Sequence, residues 1–172
     1  ARACTMAMAR GQISKEYLAI VTGWPETEQW SVTEPILRLG EVEHSRIWLK
    51  RAVHPQGAPS HTDFTVLRRV VHPRHGPMAL IHCIPRTGRT HQIRVHLAHS
   101  GHPVAGDKIY GPSEECYLEF IETGFSDRLH EKLWLPRHAL HSSSLAVTVG
   151  GIPRRWESGL PGDLADFLNA SS

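Results

Sequence analysis

Cysteine is scarce in this 172-residue chain: Cys4, Cys83 and Cys116 are odd in number, widely spaced and form no CxxC pair. That argues against a disulfide framework and against a zinc site. No apolar run is long enough to span a bilayer, and no signal-peptide pattern is present. One soluble, cytoplasmic domain, monomeric and without a membrane partner, is the expectation, with enough length to bury a core. Net charge is only +2, so bulk charge names no acidic partner.

The distribution of charge says more. Arg46, Lys50, Arg51, Arg68, Arg69 and Arg74 face a single acid, Asp63, in their part of the chain. Glu114, Glu115, Glu119, Glu122, Asp127 and Glu131 then stand against only Arg128. A basic face and an acidic face are expected, with ordinary solvated surface as the bland alternative.

Ala1 to Arg10 reads as the end of a helix. Lys15 to Thr22 alternates and is rich in strand formers, ending at Gly23-Trp24-Pro25. Arg46 to Val53 and His61 to Val71 read as strands joined by the turn-rich "HPQGAPS", and Met78 to Pro85 as a buried strand. A helix capped by Thr90 carries Ile93 and Leu97 on one stripe and ends at Gly101. Further helices are predicted over Glu114 to Glu122 and after Pro161, with a strand in "LAVTV" within Arg137 to Val149. Strands and helices mix without a βαβ rhythm, so the class is α+β.

The densest chemistry lies in "RTGRTHQIRVHLAHSGHPVAGDKIYG", Arg86 to Gly111. His91, His96, His99 and His102 crowd there, but His91 and His96 would project about 140° apart on a helix, and no HExxH is present. No metal is expected. There is no GxxxxGK[ST] or GxGxxG in the stretch, which removes a phosphate loop. What remains is a glycine turn leading into a helix start that carries Arg89 and Arg94, suited to an anion or carboxylate. An ordinary basic helix is the alternative that the residues alone leave open.

The same stretch resembles the most diagnostic segment of the RluA-type RNA pseudouridine synthases. "KEYLAIVTG" resembles the family's Lys-x-Tyr strand and "HTDFTVLRRV" its Thr-containing strand. "PRHALHSSSLAVTV" resembles its Arg-x-Ala-Leu-His motif, and "LPGDLADFL" its C-terminal helix. The resemblance implies a pseudouridine synthase fold: a mixed, mostly antiparallel bent sheet with flanking helices and an RNA-binding cleft. It also implies isomerisation of uridine to pseudouridine in ribosomal or transfer RNA, without a cofactor. The base must leave its stack to be reached.

By the same resemblance Tyr17 matches the tyrosine that stacks on the base, with a core-facing aromatic as its alternative. Arg94 matches the arginine that pairs with the catalytic aspartate, with a surface phosphate contact as its alternative. Thr87, Gly88, Arg89, Thr90, His91 and Gln92 are expected to shape the turn and contact substrate. Arg86 and Lys108 are candidate phosphate contacts, and Leu140 a wall beside the base or a plain core leucine. The family's aspartate lies in a His-Arg-Leu-Asp segment, and no HRLD exists in this chain. Asp107 belongs to the separate Gly-Asp-Lys match. Residues 1–172 are therefore expected to be the C-terminal part of a catalytic domain whose aspartate lies upstream of Ala1. In that case Arg94 would face water or a bound anion. A noncatalytic RNA-binding module with the same fold is the alternative.

Overall fold

The computed structural model of the protein describes residues 13–149 and 152–170; the helix end expected over Ala1 to Arg10 lies outside them. A six-stranded sheet runs in the order β2-β5-β6-β1-β7-β8 and is antiparallel at every pairing. Its strands are β1 (Ile13–Thr22), β2 (Gln29–Val32), β5 (Thr62–His72), β6 (Gly76–Pro85), β7 (Leu140–Val149) and β8 (Ile152–Glu157). β3 (Ile36–Arg38) and β4 (Arg51–Val53) form a separate hairpin-like pair. Four helices are described: α1 (Gln92–His99), α2 (Glu115–Thr123), α3 (Asp127–Leu133) and α4 (Gly162–Asn169).

Central strands carry the core. Ala19, Ile20 and Val21 are consecutive and all fully buried, so both faces of β1 are covered there. Met78, Ala79 and Ile81 of β6, Ile93 and Leu97 of α1, and Leu164 and Leu168 of α4 complete one cluster. The Ile93–Leu97 stripe read from the sequence is thus the buried side of α1. Gly101 and Gly124 follow α1 and α2 with φ of 82° and 75°, a conformation that glycine adopts without strain.

Two expectations about elements change. Only Arg51–Val53 of the expected Arg46 to Val53 strand is extended, and it pairs with β3 instead of the main sheet. Before it the Ser45 hydroxyl donates to the Ile47 carbonyl and the Lys50 N–H returns to that same oxygen, closing a turn. The apolar signal came from one buried anchor, Ile47, beside exposed Trp48 and Leu49. Thr90 does not cap α1 either. His91 occupies the cap position at φ 59°, with no side-chain cap bond.

The expected separation of basic and acidic faces is partly cancelled. Arg46 pairs with Glu115 and Lys50 with Glu114, so the basic stretch is tied to the start of the acidic helix. Arg69 is paired with Glu28.

Candidate active site

A cleft of about 370 Å³ opens beside the edge of α1. β1 supplies Lys15 and Tyr17, two residues apart and so on the same side of the strand. Pro85 ends β6, the loop that follows contributes Thr87, Gly88, Arg89 and His91, and α1 contributes Gln92, Ile93 and Arg94. His138 and Leu140 close it from the start of β7. Tyr17 and Arg94, far apart in sequence, therefore share one cavity. Leu140 is a half-buried wall residue of that cavity and also packs against the core.

The sheet is irregular where Tyr17 enters the cleft. Glu16 pairs with Ser144 but Tyr17 with Ser142, leaving Ser143 as an extra residue in β7. Such a bulge re-aims the side chains beside it. Burial raises the Tyr17 phenol above its ordinary 10.0, and a hydrogen bond with the Ser142 side chain opposes this only in part. Tyr17 is a neutral phenol at neutral pH.

Arg94 is held far more firmly than the sequence suggests. Its Nε donates to one oxygen of Asp107 at 2.6 Å and its Nη2 to the other at 2.7 Å. Asp107 is fully buried and also accepts the backbone N–H groups of Ile109 and Tyr110, at 2.9 and 3.0 Å. Burial alone would raise this carboxyl; the Arg94 bonds and charge, with the two backbone donors, bring it below its ordinary 3.8. Tyr110 stacks its ring 4.9 Å from the guanidinium. The expectation that Arg94, lacking the upstream aspartate, pairs with water or an anion is corrected: Asp107 is its partner. One edge of the guanidinium is filled from within the chain. No hydrogen bond engages Nη1 among the described residues, and Arg94 lines the cleft.

Two glycines make that grip possible. A Cβ at Gly106, where φ is 73°, would lie 2.2 Å from the Arg137 carbonyl oxygen. A Cβ at Gly111 would lie 2.2 Å from the carbonyl oxygen of Asp107 itself. The loop closes tightly around the aspartate only because both positions lack a side chain.

Gln92 fixes the loop on the other side. Its carbonyl oxygen accepts the Thr87 hydroxyl at 2.7 Å and the Arg89 N–H at 2.9 Å. Its amide nitrogen donates to the His61 carbonyl and to Thr62 Oγ1, each at 2.9 Å. A buried side chain reaching back to a loop N–H performs the capping that Thr90 does not. Thr90 is exposed and does not line the cleft. Thr87 also accepts the His61 N–H, so its hydroxyl is spent inside the protein.

The remaining expected residues divide. Arg89 lines the cleft while its Nε donates to the Pro59 carbonyl at 2.9 Å. Arg86 lies outside the lining, exposed, and is paired with Asp63 at 2.7 Å. Lys108 also lies outside the lining. Its ammonium donates to the Pro136 carbonyl at 2.6 Å and sits over the rings of Phe120 and Phe125 at 4.6 and 5.2 Å. These contacts anchor α2 to the loop before β7. Among the other histidines, both ring nitrogens of fully buried His96 meet hydroxyls, those of Ser60 and Thr62, at 2.9 Å.

Lys15 and His138 are cleft residues that the sequence reading passes over. Lys15 was legible from its two-residue offset to Tyr17. His138 occupies the variable place in Arg-x-Ala-Leu-His, where no motif points to it. Burial first, then the Arg94 charge, lower His138 below its ordinary 6.5. No carboxylate lines the cleft among the described residues.

The antiparallel sheet thus opens at one end onto a cavity walled by a tyrosine, a leucine and a braced arginine. The chain belongs to the RNA pseudouridylate synthase family, whose model matches residues 1–99. It is 35% identical over 166 residues to ribosomal large subunit pseudouridine synthase D of Salmonella typhimurium, covering 92% of this chain and 45% of that protein. The corresponding protein of Escherichia coli is 33% identical over 168 residues, with 94% and 45% covered. The chain thus spans less than half the length of these curated relatives. Among solved structures, human RNA pseudouridylate synthase domain containing 1 superposes with a TM-score of 0.65 at 25% identity, covering 90% of this chain and 57% of that one. Human RNA pseudouridylate synthase domain containing 4 gives 0.66 at 21%, covering 98% and 66%, a likeness of fold. No helix among the described residues is long and apolar enough to cross a membrane.

Proposed function

We propose that this chain is the C-terminal part of the catalytic domain of an RNA pseudouridine synthase, isomerising uridine to pseudouridine in ribosomal RNA, or in transfer RNA, in the cytoplasm as a monomer. The observation that supports it most is the convergence of Tyr17, Arg94 and Leu140, from three separate elements, on one cavity. The reaction breaks the bond from ribose C1′ to uracil N1, turns the base, and joins C1′ to C5. The proton leaving C5 is balanced by one gained at N1, so no oxidant or reductant is needed and no cofactor is called for. The base must be flipped into the cavity.

In this reading Tyr17 stacks on the base as a neutral phenol, Leu140 walls its edge, and Lys15 and Arg89 meet the flanking backbone. Arg94 orients the catalytic carboxylate through the guanidinium edge that Asp107 leaves open. Asp107 is not that carboxylate: its oxygens already take four donors and it is closed to solvent. Asp63 and Asp163 are engaged with Arg86 and Arg137, and no described aspartate, Asp127 and Asp166 included, lines the cavity. The nucleophile is therefore assigned to an aspartate upstream of residue 1. Arg86 is an outer phosphate contact; Thr87, Gly88, Thr90 and Gln92 shape the loop; Lys108 positions it.

The test is tritium release from RNA carrying uridine tritiated at C5, using the chain joined to an upstream HRLD segment. Release that vanishes on Tyr17→Ala or Arg94→Ala supports the reading. Stoichiometric RNA binding without release favours the noncatalytic RNA-binding module.

A further inference from the structure

Tyr110 has two hydrogen-bond partners at its hydroxyl among the described residues, Arg51 and His91. Its hydroxyl accepts the Arg51 backbone N–H at 2.9 Å and lies 2.8 Å from His91 Nδ1. A phenol has one proton to give, and among the described residues His91 Nδ1 is the acceptor in place to take it. The His91 ring must then carry its own proton on Nε2. That nitrogen has no partner among the described residues, and His91 lines the same cleft as Tyr17 and Leu140. The backbone commits the ring to this place, since His91 sits at φ 59°, rare for a residue with a side chain. Tyr110 is itself immobilised. Its N–H is taken by Asp107, its ring lies against the Arg94 guanidinium, and it meets the His91 ring edge-on.

We infer that Tyr110 is a positioning residue that locks His91 as an Nε2–H donor, and that this donor contacts an oxygen of the bound nucleotide. The ligand half rests on the proposed function; the lock does not. An uncharged donor complements the cleft chemically, because Lys15, Arg89 and Arg94 already supply cations there, and a further charge would add to their mutual repulsion. The surroundings keep His91 uncharged: burial first, then Arg94, push it down to about 4, with Arg51 and His138 acting the same way and Asp107 opposing. The oxygen is a pyrimidine carbonyl or a backbone phosphate oxygen, two sources that the experiment separates.

Long-range proton–nitrogen correlation spectra of the histidine-labelled 172-residue chain read the tautomer directly. The expected result is a single Nε2–H form of His91 with no titration between pH 5 and 8. An Nδ1–H form, or titration near the ordinary 6.5, overturns the lock. Tyr110→Phe keeps the ring against Arg94 but removes the proton donor, so His91 is expected to become a mixture of tautomers; an unchanged tautomer in the folded variant also overturns it. If that variant does not fold, the wild-type tautomer still decides. Adding a short uridine-containing RNA should shift His91 Nε2 together with the Tyr17 ring. A Tyr17 shift without one at His91 overturns the contact. No shift at either residue counts against the proposed function and leaves the lock standing. Replacing uridine by 2,4-dithiouridine should weaken the His91 shift if a base carbonyl is the acceptor, and leave it unchanged if phosphate is.

Discussion

Asp107 grips Arg94 with both carboxylate oxygens, at 2.6 and 2.7 Å, in a place closed to solvent. Breaking one side of such a pair strands a charge in the interior, at about 3–5 kcal/mol. Asp107→Asn and Arg94→Met are each expected to destabilise the chain by that order, read from urea denaturation midpoints. The double variant Arg94→Met/Asp107→Asn should lose less than the two single losses combined, because neither charge is left alone and the amide oxygen can still accept the Ile109 and Tyr110 N–H groups. Additive losses would mean that the two side chains contribute independently.

The pair also shows where sequence reading stops. The fold was legible because its signals are local: alternation in β1, the Ile93–Leu97 stripe, and glycines beyond α1 and α2. Tyr17, Arg94 and Leu140 were legible through motifs. That Asp107 turns inward to Arg94 depends on a loop closing around Gly106 and Gly111, and no spacing rule encodes which side chain such a loop presents. His138 escaped for the opposite reason, having a location but no pattern. Arg46 to Val53 misled because a buried isoleucine in a turn has the same composition as a short strand.

Arg94→Lys keeps the charge but not the planar fork. A lysine can meet Asp107 or the cleft, not both along two edges. In the active enzyme that joins this chain to its proposed upstream aspartate, turnover is expected to fall much further than RNA affinity, since other contacts still hold the RNA. Single-turnover rates alongside filter-binding constants separate the two. An equal loss in both would make Arg94 a phosphate contact.

Gln92 has no amide group left for substrate, so its variants should act through the loop. Gln92→Ala removes the partner of the Arg89 N–H, the Thr87 hydroxyl and the His61 carbonyl, at roughly 1–3 kcal/mol for each group left unsatisfied and buried. Faster hydrogen exchange at Arg89, measured against unchanged exchange in β1, is the expected signature. A variant with wild-type loop protection would show that the clamp is dispensable.

Asp63 sets an acid limit at the same end of the sheet. Partial burial would raise its carboxyl, but hydrogen bonds from Ser31, Arg86 and His61 prevail and bring it from 3.8 down to about 2. Between those values the unfolded chain binds a proton that the folded chain refuses, so stability rises with pH. The contribution is complete above about pH 4 and is lost as pH falls through about 2. Asp107 acts in the same direction. Asp63→Asn should flatten the urea midpoint across this window relative to wild type, and an identical slope in both proteins would contradict the assignment.

The 172-residue chain on its own is expected to make no pseudouridine. In the proposed reading its cleft has the tyrosine to hold a base, a leucine to wall it, and an arginine to orient a carboxylate, yet no carboxylate lines it among the described residues. Losing a required nucleophile removes its step whatever binding survives. Because Asp107 holds one edge of Arg94, the other edge should be oriented before the proposed upstream segment arrives. Supplying that segment as a separate peptide containing HRLD, at rising concentration, is therefore expected to restore some tritium release from uridine-labelled RNA. The same peptide with asparagine for its aspartate should restore none. RNA binding by the chain alone should be weak and should decline as salt rises, as phosphate contacts do. Robust release from the chain without any peptide would place the nucleophile inside residues 1–172 and sink the assignment.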